Sequence, residues 1–290
     1  MRRLIINADD FGLTQGVNRA IIECHQHGTV TSATLMANAE GSADAVRLSQ
    51  SAPQLSVGCH VVLVDGSPLL SPSQLPTLVD QNDNRFHQRL SGFCLHALRG
   101  RLNPQEVEAE ATAQIRRLVA DGIRVTHLDT HKHTHIFPQV LKPILRAAQC
   151  CGVRAMRNPF GPLGIIQVVD RPALWIRWLK VLALQGLAEK FRGLVKSAGM
   201  VMPDGTVGIV STGALDERLF HFIIERLPEG TWELVCHPGY NDAGLAKVRT
   251  RLRESREREL KLLTSYASRE LLARLGIELI SYGELTNVSP

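Results

Sequence analysis

The chain has 290 residues, of which 44% are hydrophobic and 21% charged, a composition typical of a globular protein with a sizeable core. Its net charge is +5, but the basic residues form no single run and only 5% of residues are aromatic. Nucleic acid is therefore not an expected partner.

The cysteines and the apolar runs indicate the cellular compartment of the protein. Six cysteines lie mostly within apolar stretches and form no C-x-x-C pair. The first residues predict a strand rather than a signal peptide, and no apolar run approaches the roughly 18 residues that cross a bilayer. We therefore expect a reduced, cytoplasmic protein.

Short apolar runs alternate with segments of helical spacing along most of the chain. The predicted strands, in chain order, are 4–8, 34–36, 55–62, 124–128, 153–156, 207–210, 232–236 and 277–280. The predicted helices are 16–27, 42–49, 103–120, 138–150, 215–226 and 248–275, with a longer helical region before 207. Residues 65–100, rich in Pro, Ser, Asp and Asn, are predicted as an insertion after the third strand of a single domain, 1–290.

The repeated strand–helix units determine the predicted fold class. They indicate an α/β protein with a parallel sheet and right-handed crossovers. About eight strands favour a distorted, TIM-like (β/α) barrel over an open doubly wound sheet. A dinucleotide-binding fold is disfavoured, because no G-x-G-x-x-G follows the first strand.

Acidic and histidine side chains follow several predicted strands directly. They are Asp9-Asp10, Cys59-His60, the stretch HLDTHKHTH at 127–135, and Cys236-His237. Barrel enzymes place their chemistry at the carboxyl ends of the strands. Alone, Asp10 could cap the following helix and His60 could be a hydrogen-bonded core histidine. Together with the histidine cluster they favour a metal site.

The stretch 127–135 has a period of two. In an extended chain its histidines and Asp129 would share one face. At about 3.3 Å per residue, His127 and His131 would then lie some 13 Å apart, too far to bind one ion unless the chain bends. We expect one histidine here to be a ligand and the others to orient it or to contact substrate.

Four motifs resemble those of the YdjC-like carbohydrate deacetylases. They are NADDFG at 7–12, GCHVVL at 58–63, HLDTHKH at 127–133 and CHPG at 236–239. The resemblance runs from residue 1 to about 282 and implies a metal-dependent enzyme with a distorted (β/α) barrel that removes N-acetyl groups from amino sugars. The stretch 61–80 is most similar to the hopanoid-associated branch, which acts on an N-acetylglucosaminyl lipid. A second branch acts on chitooligosaccharides.

The resemblance also implies roles for single residues. The implied metal ligands are Asp10, His60 and His131; the implied catalytic residues are Asp9 as base, His237 as candidate acid and Arg157 as an active-site arginine. We expect one divalent ion, zinc from the two imidazoles or magnesium from the resemblance. Asp129 and His133 are candidates to orient ligands or contact substrate. Asn158-Pro159 departs from the basic–acidic pair common in the family.

Two further segments are interpreted from their composition. Tryptophans, leucines and basic residues are mixed in 170–196, the composition of a helix at a membrane surface; the alternative is a barrel helix with its basic residues outward. The charged run 249–261 is interpreted as a solvated helix face.

Other functions remain open to the sequence. A metal-dependent phosphoesterase would use a similar centre, usually with two ions. A non-catalytic sugar- or metal-binding protein would need neither Asp9 nor His237. The sequence does not set the oligomeric state, and a homodimer is compatible with it.

Overall fold

A computed structural model describes residues 1–80, 82–162 and 171–286. Asp170, the start of the predicted membrane-facing segment, and 287–290, the end of the predicted domain, lie outside these residues. None of the helices in the described part is long and apolar enough to cross a membrane.

Most strands belong to one parallel sheet. The strands are β1 (Arg2–Phe11), β2 (Ser32–Leu35), β3 (Ser56–Val61), β4 (Val79–Asp80), β5 (Arg85–Phe86), β6 (His127–Thr130), β7 (Ala155–Met156), β8 (Gly205–Val207), β9 (Gly230–Cys236) and β10 (Ile277–Leu279). The large sheet has the order β7-β6-β3-β2-β1-β9-β8, and β10 pairs with the start of β1. All of its ladders are parallel. Leu4, Ile5 and Ile6 are completely buried, as expected for a central strand covered on both faces.

The two ends of this sheet meet without a regular ladder. Past β7, the carbonyl of Phe160 accepts a hydrogen bond from the Thr206 amide at 3.1 Å. The side-chain amide of Asn158 donates to the carbonyl of Asp204 at 2.8 Å. The sheet is thus curved into a barrel with one irregular junction, which confirms the predicted distorted (β/α) fold.

Helices surround the sheet and follow most strands. They are α1 (Gln15–Gln26), α2 (Ser42–Gln50), α3 (Leu90–Leu98), α4 (Pro104–Ala120), α5 (Pro138–Cys150), α6 (Pro172–Leu184), α7 (Ala188–Ser197), α8 (Glu217–Glu225), α9 (Ala243–Ala246), α10 (Glu254–Thr264), α11 (Tyr266–Arg274) and α12 (Tyr282–Leu285). The side chain of Asn103 caps α4 by accepting from the Gln105 amide, as predicted.

Several predicted elements have different bounds in the structure; the strand predicted at 207–210, for example, is Gly205–Val207. The single helix predicted at 248–275 is two helices, because Ser265 has an extended backbone and its hydroxyl caps α11. The strand predicted at 124–128 begins at His127 instead.

Residues 65–100 contain β4, β5 and α3. Leu75, Phe86 and Phe93 from this segment are completely buried in the main core cluster. Both carboxylate oxygens of Glu110 on α4 accept backbone amides of the segment, from Leu69 at 2.9 Å and Leu70 at 3.0 Å. Buried hydrogen bonds to a charged acceptor are among the stronger ones, so α4 fixes the segment beside the sheet.

Candidate functional site

Sheet order brings the polar strand ends together. β1 and β9 are neighbours in register, so Asp9 and Asp10 come to lie beside His237. β3 and β6 are also neighbours, and their register pairs His60 with Asp129. All five side chains therefore stand at the carboxyl ends of parallel strands, as the sequence predicts for a barrel site.

A local irregularity lets two consecutive carboxylates reach the same site. Successive side chains on a regular strand point to opposite faces. The register between β1 and β2 shifts between Ala8 and Phe11, the signature of a bulge. Asp10 has φ of 65°, a left-handed conformation that is rare outside glycine. The bulge therefore directs both Asp9 and Asp10 inward.

Three side chains converge on one point. His60 Nε2 lies 3.2 Å from His131 Nδ1 and 3.6 Å from Asp10 Oδ1, and His131 Nδ1 lies 3.4 Å from Asp10 Oδ1. Ligand atoms that bind one ion at about 2.1 Å with angles near 90–110° are themselves about 3.0–3.4 Å apart. The donor set, one carboxylate and two imidazoles, fits a single divalent cation.

Asp129 fixes the ring of His60. Its Oδ1 accepts from His60 Nδ1 at 2.7 Å, and Thr34 Oγ1 donates to its other oxygen at 3.2 Å. With the hydrogen on Nδ1, the Nε2 lone pair points to the convergence point, the arrangement of a carboxylate–histidine–metal group. Burial alone would lower the pKa of His60, but the Asp129 carboxylate raises it to about 9, so the imidazole must release its Nε2 proton when an ion binds.

Arg157 is a fully buried cation among three carboxylates. It binds both oxygens of Asp9, at 2.8 and 2.6 Å, and one oxygen of Asp129 at 2.5 Å. Its Nη2 also donates to Glu233 at 2.7 Å. Burial would raise the pKa of Asp9, but the guanidinium holds it well below its usual value. Asp9 is therefore ionised at neutral pH.

Arg157 is held in place by buried side chains that lie behind it in the barrel core. Glu233 accepts from Arg157 Nε at 2.9 Å and from the Tyr282 hydroxyl at 2.8 Å. The Tyr282 ring stacks on His127, with centroids 3.7 Å apart. A Cβ at Gly58 would lie 2.6 Å from the His127 ring, so only glycine fits there. His127 is thus a packed core side chain and does not serve as a metal ligand.

His237 stands on the other side of Asp9. Its Nε2 lies 3.9 Å from Asp9 Oδ2, and its Nδ1 is buried without a partner among the described residues. Burial lowers the pKa of His237 to about 4, so the imidazole is neutral at pH 7.

The stretch 127–135 is extended only as far as Thr130. The chain turns into a short 3₁₀ segment, His131–Ile136, in which Lys132 and His133 have left-handed backbones. The Thr130 hydroxyl accepts the His135 amide at 3.0 Å and closes the turn. The bend brings His131 back toward His60, whereas His133 is not part of any group of donor atoms in the described chain that could share an ion.

Two functional candidates were not predicted. Arg256 and Glu259, on α10, are both 1% exposed. They belong to the run interpreted as a solvated helix face, and the structure overturns that interpretation for these two residues. Arg256 Nη2 donates to Asp10 Oδ2, and Glu259 Oε2 accepts the His237 amide at 2.6 Å. Arg256 stands four residues before Leu260, and Glu259 four residues before Leu263, so both lie on the buried stripe of the helix, and this signal was available in the sequence.

The fold and the site define a parallel α/β barrel protein with a histidine–carboxylate centre at the carboxyl ends of its strands. The chain belongs to the YdjC-like protein family, which it matches over residues 3–274.

Relatives match over nearly the full length. The chain is similar to a carbohydrate deacetylase of Brevibacillus brevis, 34% identical over 284 residues that cover 98% of this chain and 99% of the relative. A carbohydrate deacetylase of Geobacillus stearothermophilus is also 34% identical over 284 residues, covering 98% of each. A crystal structure from Enterococcus faecalis, provisionally described as a cellobiose-phosphate cleavage protein, has a TM-score of 0.75, 26% identity and 98% coverage of each chain.

We expect the buried Glu259 to make stability depend on pH. Burial raises its pKa to about 7 from the ordinary 4.5. Between these values the unfolded chain loses the proton that the folded protein keeps, so the Glu259 contribution to the free energy of unfolding falls as pH rises from 4.5 to 7. The loss is about 3 kcal/mol. Urea unfolding of wild type and Glu259→Gln across this range measures it; equal pH slopes in the two proteins would contradict the expectation.

Proposed function

We propose that this protein is a metal-dependent carbohydrate deacetylase that hydrolyses the N-acetyl group of an acetylated amino sugar. The observation that carries the proposal is the convergence of Asp10, His60 and His131 to within 3.2–3.6 Å beside the ionised Asp9, which lies outside that group. The relatives that share the full length of the chain, and are named carbohydrate deacetylases, support the choice of substrate class.

Asp10, His60 and His131 would hold one divalent ion, zinc or magnesium. When bound, the ion supplies Lewis-acid chemistry, lowering the pKa of a coordinated water and polarising the acetyl carbonyl. Three protein ligands are typical of a catalytic site, which keeps positions open for water and substrate.

Asp9 is the base that takes a proton from the attacking water. Its Oδ1 already accepts from the Asn7 side-chain amide at 3.0 Å and from Arg157 at 2.6 Å. Its Oδ2 accepts only from Arg157 among the described residues, at 2.8 Å. Oδ2 therefore has the free lone pair, and it faces His237. Asp9 has a low pKa, so its contribution is the fixed position of an ionised acceptor.

His237 delivers a proton to the departing nitrogen. Because the ring is neutral at pH 7, it must first gain a proton, and among the described residues the carboxylate oxygen within 4 Å of its Nε2 is Asp9 Oδ2, at 3.9 Å. We assign the transfer from Asp9 to His237 to the interval between water attack and loss of the amine. The proton then leaves on the sugar amine, and both groups return to their starting states.

The position of Arg157 disfavours the phosphoesterase alternative. Asp9, His60 and Asp129 form a second group of donor atoms close enough to share an ion. The Arg157 guanidinium already binds both of its carboxylates, at 2.5–2.8 Å. A fixed cation thus stands where a two-ion enzyme would need its second metal.

Acetate release tests the proposed activity. We expect the purified protein to release acetate from chitobiose or from an N-acetylglucosaminyl lipid, to lose this activity with chelator, and to regain it with zinc or magnesium. Release of phosphate from sugar phosphates without any acetate release would favour the phosphoesterase. Binding of the sugars without turnover would favour a non-catalytic protein.

Within the acetylated amino sugars, we favour a lipid-linked sugar over a chitooligosaccharide as the substrate. Helix α6 packs on the core through Leu174, Trp178 and Val181. Its other face leaves apolar side chains in solvent: Trp175 is 45% exposed, Ile176 64%, Leu179 53% and Leu182 38%. The exposed face of α6 is therefore largely apolar. A barrel helix with its basic residues outward, the alternative interpretation, would expose a basic face instead. A cytoplasmic protein that touches the membrane surface through this helix suits such a substrate.

We expect the protein to co-sediment with anionic liposomes through α6. The double substitution Ile176→Glu and Leu179→Glu should weaken pelleting at least about tenfold, since each buried side chain of this size is worth about 1.5–3 kcal/mol. Leu98→Glu is the matched control, because Leu98 is 67% exposed on α3. No pelleting of wild type, even with anionic lipid, would exclude the membrane contact.

A further inference from the structure

Helix α10 places two buried ionisable side chains one turn apart against the candidate metal centre. Arg256 and Glu259 are each 1% exposed, although charged side chains are almost never fully buried unless they are paired. Their partners are at the ends of two different strands: the Asp10 carboxylate on β1 and the His237 amide after β9. The helix is therefore attached directly to the site.

Arg256 divides the two oxygens of Asp10 between different partners. Its Nη2 donates to Oδ2, while Oδ1 lies 3.6 Å from His60 Nε2 and 3.4 Å from His131 Nδ1. Only Oδ1 is therefore presented to the two imidazoles. Since Asp10 also has a left-handed backbone, its carboxylate position depends on such external contacts.

Gly239, the last residue of the CHPG motif, makes room for this contact. A Cβ at this position would lie 2.9 Å from Arg256 Cδ, its nearest neighbour, 3.1 Å from Val17 Cγ2 and 3.3 Å from Arg256 Cβ. The Gly239 amide also donates to the Arg256 carbonyl at 3.2 Å. Its φ is not in the left-handed region, so alanine is conformationally allowed and would act only through crowding.

We propose that Arg256 is a positioning residue that restricts Asp10 to one-oxygen coordination of the divalent ion, and that Gly239 gives the guanidinium its place. The inference rests on the proposed metal centre and extends it to a helix that the motifs do not include. Outer partners of metal ligands typically change metal affinity by about 10–100-fold when removed.

Zinc affinity tests the inference without using activity. Titration of the metal-free protein with zinc, in competition with a chromophoric chelator, should show binding about 10–100-fold weaker in Arg256→Gln. With cobalt in place of zinc, the visible spectrum should also change, because Asp10 becomes free to use both oxygens. Arg258→Gln, an exposed position on the same helix, is the control and should match wild type.

A second variant covers the case in which Arg256→Gln does not fold. Gly239→Ala keeps the guanidinium but displaces it, and should weaken zinc binding by about tenfold with a cobalt spectrum altered in the same direction. Unchanged affinity and spectrum in the folded variants would overturn the proposal, as would tighter binding, which is expected if the guanidinium only repelled the cation.

His131→Ala separates this inference from the proposed function. If it loses zinc while Arg256→Gln and Gly239→Ala bind normally, the centre stands and the role of Arg256 is wrong. If His131→Ala binds zinc as wild type does, the proposed centre itself is wrong.

Discussion

Asp9→Asn should lower the rate of deacetylation by about 10²–10⁴-fold and leave the metal content unchanged. Asparagine has the shape of aspartate but cannot accept the proton of the attacking water, and this range is typical for removal of a general base. Asp9 is outside the group of Asp10, His60 and His131, so the ion should remain. Single-turnover rates and metal analysis on the same sample measure both effects.

Glu233→Gln is the matched control for Asp9→Asn. Both substitutions remove one negative partner of Arg157, because Glu233 accepts from Arg157 at 2.7 and 2.9 Å. Only Asp9 also faces His237. A rate loss confined to Asp9→Asn would therefore belong to proton transfer, whereas equal losses in both would reflect the charge balance around Arg157. Near-normal turnover in Asp9→Asn would remove Asp9 from the mechanism.

The sequence predicts the fold and the strand ends for a simple physical reason. The hydrophobic pattern of a strand and the polar residues at its end, as in 4–10 and 230–237, are local properties of the sequence. Parallel strands bring their carboxyl ends to one edge of the sheet regardless of the detailed packing. The motif resemblance indicated which acidic residues and histidines form the site. The family is confirmed by the match over residues 3–274.

The parts that sequence missed depend on conformations that side-chain patterns do not encode. The turn after Thr130 uses left-handed backbones at Lys132 and His133, a conformation that L-residues other than glycine adopt only at isolated positions. The same holds for Asp10, whose φ of 65° belongs to a bulge.

A buried charge is equally hard to predict. Arg256 satisfies the helical period of a core position, yet its burial is favourable only because Asp10, 246 residues away in sequence, accepts from it. Pattern reasoning assigns such a residue to solvent, since unpaired burial of a guanidinium costs several kcal/mol. The partner becomes visible only once sheet order is known.

Asp10→Ala should abolish both metal binding and turnover, whereas Asp9→Asn should lower turnover alone. It removes the only carboxylate of the three-donor group, so we expect an affinity loss larger than the 10–100-fold typical of outer partners. A saturating ion stabilises the folded state by about 2.7 kcal/mol at 100 times Kd. Zinc should therefore raise the melting temperature of wild type and of Asp9→Asn, but not of Asp10→Ala.

His133→Ala is the control for the histidine ligands, since it removes the same side chain two residues from His131. It should keep the zinc-dependent shift in melting temperature, whereas His60→Ala and His131→Ala should lose it. Two consecutive carboxylates would then have different roles because a bulge turns both inward, where Arg157 holds one and Arg256 the other. Zinc stabilisation retained in Asp10→Ala, or lost in Asp9→Asn, would reverse that division.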